Sequence, residues 1–121
     1  MANRILVLDD TSEQLGPIIR KLSAAGYNVR VCFSPEHALD EIFVEVPHLL
    51  IAAGEFPGGV TAAQFAEKAY LARSIPSFVI LKDAGEKTQL RMRQHPGIIG
   101  TYYTPLNTEK LFNKVTKFFS K

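Results

Sequence analysis

Apolar runs of strand length alternate with amphipathic stretches of helix length along the whole chain. Proline, glycine and capping residues fall between these stretches, as is typical of the junctions between strands and helices. The predicted strands are RILVLD at 4–9, NVRVCF at 28–33, LLIAA at 49–53, SFVIL at 77–81 and IIGTYY at 98–103. Their alternation with helices predicts an α/β protein whose strands run parallel.

Helix starts are marked by capping residues: Ser34 followed by Pro35, Thr61 with Gln64, and Asn107. Residues 11–14 also have capping-box spacing, but Pro17 lies too deep for the first turn of a helix capped there. The first helix therefore either starts near Gly16 or has a distorted beginning. A weaker and very polar helix is predicted at 86–95. The side chains expected to face the core are Leu15, Ile18, Ile19, Leu22, Ala38, Leu39, Ile42, Phe43, Leu111, Phe112, Val115, Phe118 and Phe119. The third helix is expected to run through Phe65, Ala69 and Leu71.

The order of these elements predicts how the sheet is built. The stretch at 49–53 is continuously apolar, which is typical of a strand covered on both faces, so we expect it at the sheet centre. Strict alternation also predicts right-handed crossovers. The predicted fold is therefore a doubly wound five-stranded parallel sheet of the flavodoxin-like (βα)5 kind, with strand order 2-1-3-4-5. Residues 1–121 show no internal boundary and are expected to form a single domain.

Composition sets limits on where the protein works. The 121 residues are 46% hydrophobic, enough for one core, and no apolar run approaches the length of about 18 residues that a membrane helix needs. The first ten residues, MANRILVLDD, contain an apolar run that is too short for a signal peptide and is followed by acidic residues. We therefore expect a cytoplasmic protein. Cys32 is the single cysteine, which excludes an internal disulfide and predicts a small core residue.

Charge is distributed unevenly along the chain. Residues 1–60 carry four Lys/Arg and eight Asp/Glu, whereas residues 61–121 carry ten and four, although the net charge is only +2. The basic half is either a solvated surface or a face for an acidic protein or nucleic acid. No recognition helix, zinc-ligand motif or aromatic platform accompanies it, so nucleic acid is the less favoured partner.

The functional crevice of such a sheet lies at the carboxyl ends of its strands, near the switch point between the first and third strands. Asp9 and Asp10 lie there and form a concentrated negative site that suits Mg²⁺. Alternatively, one carboxylate caps the following helix and the other is solvated. The pair would repel a phosphate, and the loop lacks a glycine-rich cradle, so a flavin or nucleotide site of the flavodoxin kind is not expected.

Three segments in this order carry a family resemblance. They are RILVLDD at the start, the stretch 47–58 with one proline before its strand and Pro57-Gly58 after it, and Thr104-Pro105 before the last capped helix. The chain resembles the receiver domain of bacterial two-component response regulators, the CheY-like family, over almost all of its length. The third segment departs from the family pattern, which has Lys-Pro at that place.

The resemblance implies which residues occupy the family's phosphorylation site. Counting four residues back from Pro57 and six forward from Pro47 both lead to Ala53, where the family has its phospho-accepting aspartate. The family's switch hydroxyl falls at Leu81 and its lysine at Thr104. The switch aromatic falls at Thr101, and Tyr103 is the same-face substitute because strand side chains alternate. Nucleophile, hydroxyl and cation are thus all missing.

These absences favour a degenerate receiver, or pseudo-receiver, that is not an enzyme and signals through protein–protein interaction without phosphorylation. No cofactor is expected, apart from weak Mg²⁺ binding at a vestigial site of Asp9 and Asp10. The resemblance places the partner-binding face on the fourth helix, fifth strand and fifth helix, where a signalling protein, a fused output domain or a second copy would dock. That face carries Lys87, Arg91, Arg93, Tyr102, Tyr103, Lys110, Lys114 and Lys117. No membrane partner is expected.

Two alternatives stay open. Glu55, two positions after Ala53, is a substitute acid that would bind Mg²⁺ together with Asp9 and Asp10, or would be modified in place of the missing aspartate. A regulator that associates with nucleic acid through the basic face is the other alternative. The three histidines, His37, His48 and His95, share no spacing, so a metal cluster built on them is not expected.

Overall fold

The computed structural model describes residues 3–10, 15–81, 95–104 and 106–120. The strands are β1 (Arg4–Leu8), β2 (Asn28–Cys32), β3 (Leu49–Ala53), β4 (Glu55–Phe56), β5 (Val60–Thr61), β6 (Ser77–Leu81) and β7 (Ile98–Tyr103). The helices are α1 (Gly16–Ala24), α2 (Pro35–Val44), α3 (Ala62–Arg73) and α4 (Thr108–Phe119). No helix of the described residues is both long and apolar enough to cross a membrane.

Five strands form one parallel sheet in the order β2-β1-β3-β6-β7. This confirms the predicted fold class and the order 2-1-3-4-5, because β6 and β7 are the fourth and fifth strands of this sheet. The shift in numbering comes from β4 and β5, which pair antiparallel in a separate short hairpin after β3. The hairpin was not predicted, since two-residue strands are too short to show a periodicity.

Helices cover both faces of the sheet, as the doubly wound prediction requires. Buried residues of α2 and α3, such as Ile42 and Phe65, pack on one face. Buried residues of α1 and α4, such as Ile18 and Val115, pack on the other. All five residues of β3 are buried, which confirms this strand as the centre of the sheet. Cys32 is buried in the core, also as predicted.

The helix starts follow the predicted caps. Ser34 accepts a hydrogen bond from the His37 N–H, and Asn107 caps α4. Thr61 and Gln64 form a reciprocal capping box at α3. The first helix starts at Gly16 with Pro17 in its first turn, so the first of the two alternatives for this helix is correct. The predicted capping box at 11–14 lies outside the described residues, as does the predicted helix at 86–95 apart from His95.

Two large apolar side chains on the helices α2 and α3 are exposed. Phe43, which was expected in the core, is 54% exposed, and Leu71 is 81% exposed. Successive residues of a helix are turned by about 100°, so Phe43 points to the side of the buried Ile42 and Leu71 points away from the buried Ala69. Phe43 has a different neighbour, because its ring lies under the Arg73 guanidinium at 4.6 Å.

Candidate functional site

The carboxyl ends of β1, β3, β6 and β7 lie along one edge of the sheet, because these strands pair with one another in this order. Leu8 of β1 pairs with Ala52 of β3, and Ala53 pairs with Ile80 of β6. Leu81 in turn pairs with Tyr103 of β7. Beyond the strands, the Thr104 N–H donates to the Leu81 carbonyl at 2.8 Å. The positions that the resemblance assigns to phosphorylation therefore lie along one edge.

Asp10 reaches across this edge to the tip of β3. A Cβ built on Gly54 would lie 2.7 Å from Asp10 Cβ and closer still to the Asp10 carboxyl group. Gly54 also has a φ of +94°, a conformation that residues with a side chain rarely adopt. Gly54 thus makes room for the Asp10 carboxyl directly beside Ala53. Sequence reasoning missed this role of Gly54, because only the loop geometry brings the two residues together.

Ala53 itself is almost fully buried, with 4% of its surface exposed. Its methyl belongs to the core cluster on the α1/α4 face of the sheet, together with Ile51 and Ile80. A methyl group has no lone pair with which to attack phosphorus and no charge to bind a metal. Ala53 itself therefore supplies neither a nucleophile nor a metal ligand.

The flanking positions also lack the expected chemistry. Leu81 packs against the core on the α2/α3 face and has no hydroxyl group. Thr104 is partly buried and carries a hydroxyl but no positive charge. Thr101 and Tyr103 pair with Val79 and Leu81, which both contact the α2/α3 core, so the predicted shared face of Thr101 and Tyr103 is confirmed.

The acidic residues do not complete a metal site. Asp9 is buried, whereas Glu55 is exposed in the β4–β5 hairpin and pairs with Thr61. Among the described residues, which include all three of the proposed acids, no three carboxylate, His or Cys side chains come together as metal ligands. The described residues thus do not fit a Mg²⁺ site built from three protein ligands. Binding of Mg²⁺ by Asp9 and Asp10 stays a prediction.

The described part of the predicted partner face is exposed and basic. Lys110, Lys114 and Lys117 all lie on the exposed side of α4, while Leu111 and Val115 of the same helix are buried. Leu111 and Val115 thus face the core as predicted, and the three lysines lie on the other side of the helix. Tyr103 adds an aromatic ring that is 37% exposed. Lys87, Arg91 and Arg93 lie outside the described residues.

Tyr102 differs from its neighbour, because it packs inward. Its ring meets the ring of Phe78 edge to face at 5.7 Å, and burial raises the pKa of its hydroxyl above 10.0. Gly100 makes this contact feasible, since a Cβ there would lie 2.7 Å from Phe78 Cδ1 and 3.1 Å from Tyr102 Cε2. Gly100 is a second residue whose role sequence reasoning missed.

The histidines are dispersed, as their spacing predicted. His37 lies 3.6 Å from Glu41 on α2. His48 Nδ1 accepts the Arg4 N–H at 2.9 Å, and His95 Nδ1 accepts the Gly97 N–H at 3.1 Å. Two of the three therefore serve as acceptors for nearby backbone groups.

Comparison with known proteins identifies the fold. No family model matches the chain, and no curated protein matches it significantly. A CheY-like response regulator receiver domain from Methanospirillum hungatei is 21% identical, with a TM-score of 0.86 over 98% of this chain and 94% of that one. A putative response regulator from Chloroflexus aurantiacus is 20% identical, with a TM-score of 0.83 over 100% of each chain. Chemotaxis protein CheY4 from Vibrio cholerae is 17% identical, with a TM-score of 0.82 over 97% and 98%.

Proposed function

We propose that the chain, which has the fold of CheY-like response regulator receiver domains, is a pseudo-receiver of two-component signalling. Such a module is non-catalytic and binds a protein partner independently of phosphorylation. The observation that carries the proposal is Ala53, a buried methyl at the tip of the central strand, where the resemblance places the phospho-accepting aspartate.

Phosphorylation of such a site needs several groups at once. A carboxylate attacks the phosphoryl donor, and nearby charges stabilise the transferred group as negative charge develops on it. Here Ala53 supplies no nucleophile, Leu81 no hydroxyl and Thr104 no cation. Restoring one of these groups would leave the other two missing, so the loss extends across the site.

The proposed binding surface is the lysine face of α4 and, beside it, the exposed Tyr103 at the end of the edge strand β7. Three like charges on one side of a helix repel one another, which makes an acidic partner surface a favourable neighbour. The Lys21–Glu109 ion pair ties α4 to α1, and Phe112 lies beneath the same lysine, 4.9 Å from its ammonium. This face is thereby held in one orientation, with its charge set by sequence.

The first experiment tests the missing chemistry. Wild-type protein and Ala53→Asp are incubated with acetyl phosphate and Mg²⁺, and their intact masses are recorded. The wild type is expected to keep its mass, and Ala53→Asp shows whether restoring the carboxylate beside Asp10 restores phosphorylation. Addition of one phosphoryl group to the wild type would contradict the proposal, and peptide mapping would then reveal whether Glu55 is the acceptor.

The second experiment tests the face. Proteins are captured from an extract of the source cell on immobilised wild type, Lys114→Glu and Arg20→Glu. The two variants carry the same charge reversal, but Arg20 is exposed on α1 and does not belong to the lysine face of α4. Loss of one specific partner with Lys114→Glu alone supports the face, whereas a partner that both variants retain argues against it.

A further inference from the structure

A groove opens between the first turns of α2 and α3. Its volume is about 260 Å³, and it is lined by Pro35, Glu36, Leu39, Val60, Gln64, Phe65 and Lys68. Leu39, Val60 and Phe65 give it an apolar floor, while Glu36 and Lys68 put opposite charges on its two walls. A cavity of about 150 Å³ with apolar walls is enough to hold benzene, so this groove has room for a large aliphatic side chain.

At their carboxyl-terminal ends, α2 and α3 are bridged by a side-chain contact. There the Arg73 guanidinium lies over the Phe43 ring, which bridges α3 and α2. The groove is therefore confined to the ends at which the helices begin. Neither Glu36 nor Lys68 belongs to an ion pair within the part of the chain that the structure describes.

An exposed apolar side chain lies on the same helix face as the groove. Gln64, Lys68 and Leu71 follow one another at positions i, i+4 and i+7, so they form one stripe along α3. Leu71 is 81% exposed, and it lies six residues, or about 9 Å of helix, beyond Phe65 in the groove. Each copy thus presents an exposed apolar side chain on α3 and, next to it, an apolar groove between α2 and α3.

This arrangement is self-complementary. If a second copy packs its α3 antiparallel to the first about a two-fold axis near Lys68, each Leu71 lies over the groove of the other copy. The same axis brings Lys68 of each copy toward Glu36 on the groove wall of the other, which offsets the repulsion between the two lysines. A partner without this symmetry would leave either Leu71 or the α2–α3 groove without a contact.

We propose that two copies of this chain associate through α3, with Leu71 of each copy filling the α2–α3 groove of the other. This interface lies on the α2/α3 layer and is separate from the lysine face of α4, so it does not rest on the proposed function. Its contact is confined to one stripe on each copy, and we therefore expect a weak, concentration-dependent dimer.

The test is sedimentation equilibrium of the wild type and two matched variants from micromolar to near-millimolar concentrations. Leu71→Asp is expected to raise the dissociation constant of the dimer by at least about tenfold, because a central apolar anchor is lost from both copies. Val44→Asp is the control, since Val44 is also 81% exposed but lies at the end of α2, away from the stripe. Equal effects of the two variants, or a wild type that stays monomeric throughout, would overturn the proposal.

Charge reversals test the geometry of the interface independently. Lys68→Glu should weaken the dimer because it places an acid opposite Glu36, and the double variant Lys68→Glu with Glu36→Lys should recover most of the loss. Absence of recovery would rule out this pairing. A dimer that Lys114→Glu dissociates and Leu71→Asp leaves intact would instead place the contact on α4. None of these results depends on whether Ala53 or a substitute residue can be phosphorylated.

Discussion

The Asp10 carboxyl group lies against the α-carbon of Gly54, in the space that a side chain at position 54 would occupy. The contact joins the end of the first strand to the end of the central strand, which are the two strands on either side of the switch point. Asp10 is thereby held beside Ala53, whose methyl group offers neither a nucleophile nor a metal ligand.

Replacing Gly54 tests this contact. Gly54→Ala should lower the free energy of unfolding by about 2–4 kcal/mol, because it adds a clash with Asp10 to the strain of a positive φ. Gly58→Ala is a matched control, since its φ of +88° is similar but nothing lies within 4 Å of its Cβ position. It should cost only the backbone strain, about 1 kcal/mol. Urea denaturation measures both.

The double variant Gly54→Ala with Asp10→Ala separates the two contributions. Removing the carboxyl group should relieve the clash, so the double variant should lose less stability than the sum of the losses of Gly54→Ala and Asp10→Ala. If Gly54→Ala and Gly58→Ala are equally stable, Asp10 does not occupy the position described.

Gly100 on β7, like Gly54, lies so close to a neighbouring side chain that it leaves no room for a Cβ. Gly100→Ala should displace the Phe78 and Tyr102 rings, because the new methyl would lie 2.7 Å from Phe78 Cδ1. We expect a loss of about 1–3 kcal/mol, typical of overpacking in a core. The near-ultraviolet circular dichroism of the edge-to-face pair should change as well. Adding Phe78→Leu, which shortens the blocking side chain, should recover part of the loss, and a fully stable Gly100→Ala would contradict the packing.

Stability should fall at high pH through Tyr102. Burial raises the pKa of this hydroxyl in the folded state above 10.0, so the folded protein holds the proton more strongly than the unfolded chain. The stabilisation is complete below the unfolded pKa and is lost as pH rises through the folded pKa. Urea denaturation of the wild type and Tyr102→Phe across this range measures it. Tyr102→Phe should lose less stability with rising pH, and parallel curves would assign the effect to other groups.

Features that follow from the local sequence pattern could be predicted, whereas contacts between residues far apart in the sequence could not. The alternation of apolar runs predicts the sheet, its order and the central place of β3, because these follow from local periodicity and from the handedness of crossovers. The assignment of Ala53 to the family's phospho-acceptor position comes from the resemblance, by counting from Pro47 and Pro57. The contacts of Gly54 and Gly100 could not be predicted, since each depends on a side chain brought close by folding. Phe43 was misplaced because it follows the buried Ile42 directly, where the turn of one residue moves a side chain out of the core.

The acidic pair Asp9 and Asp10 gives the remaining prediction. Asp9 and Asp10 should bind Mg²⁺ only weakly, because two carboxylates without a third leave most of the octahedral shell to water. Ala53→Asp adds a carboxylate beside Asp10 and should lower the dissociation constant for Mg²⁺ by about tenfold, since affinity rises with the charge count of the ligands. Amide chemical shifts during a Mg²⁺ titration report both values, with Asp10→Asn in the Ala53→Asp background as the control. If Ala53→Asp binds no more tightly than the wild type, the new carboxylate does not reach the acidic pair. Shifts in the wild type that centre on Glu55 would instead favour the substitute acid.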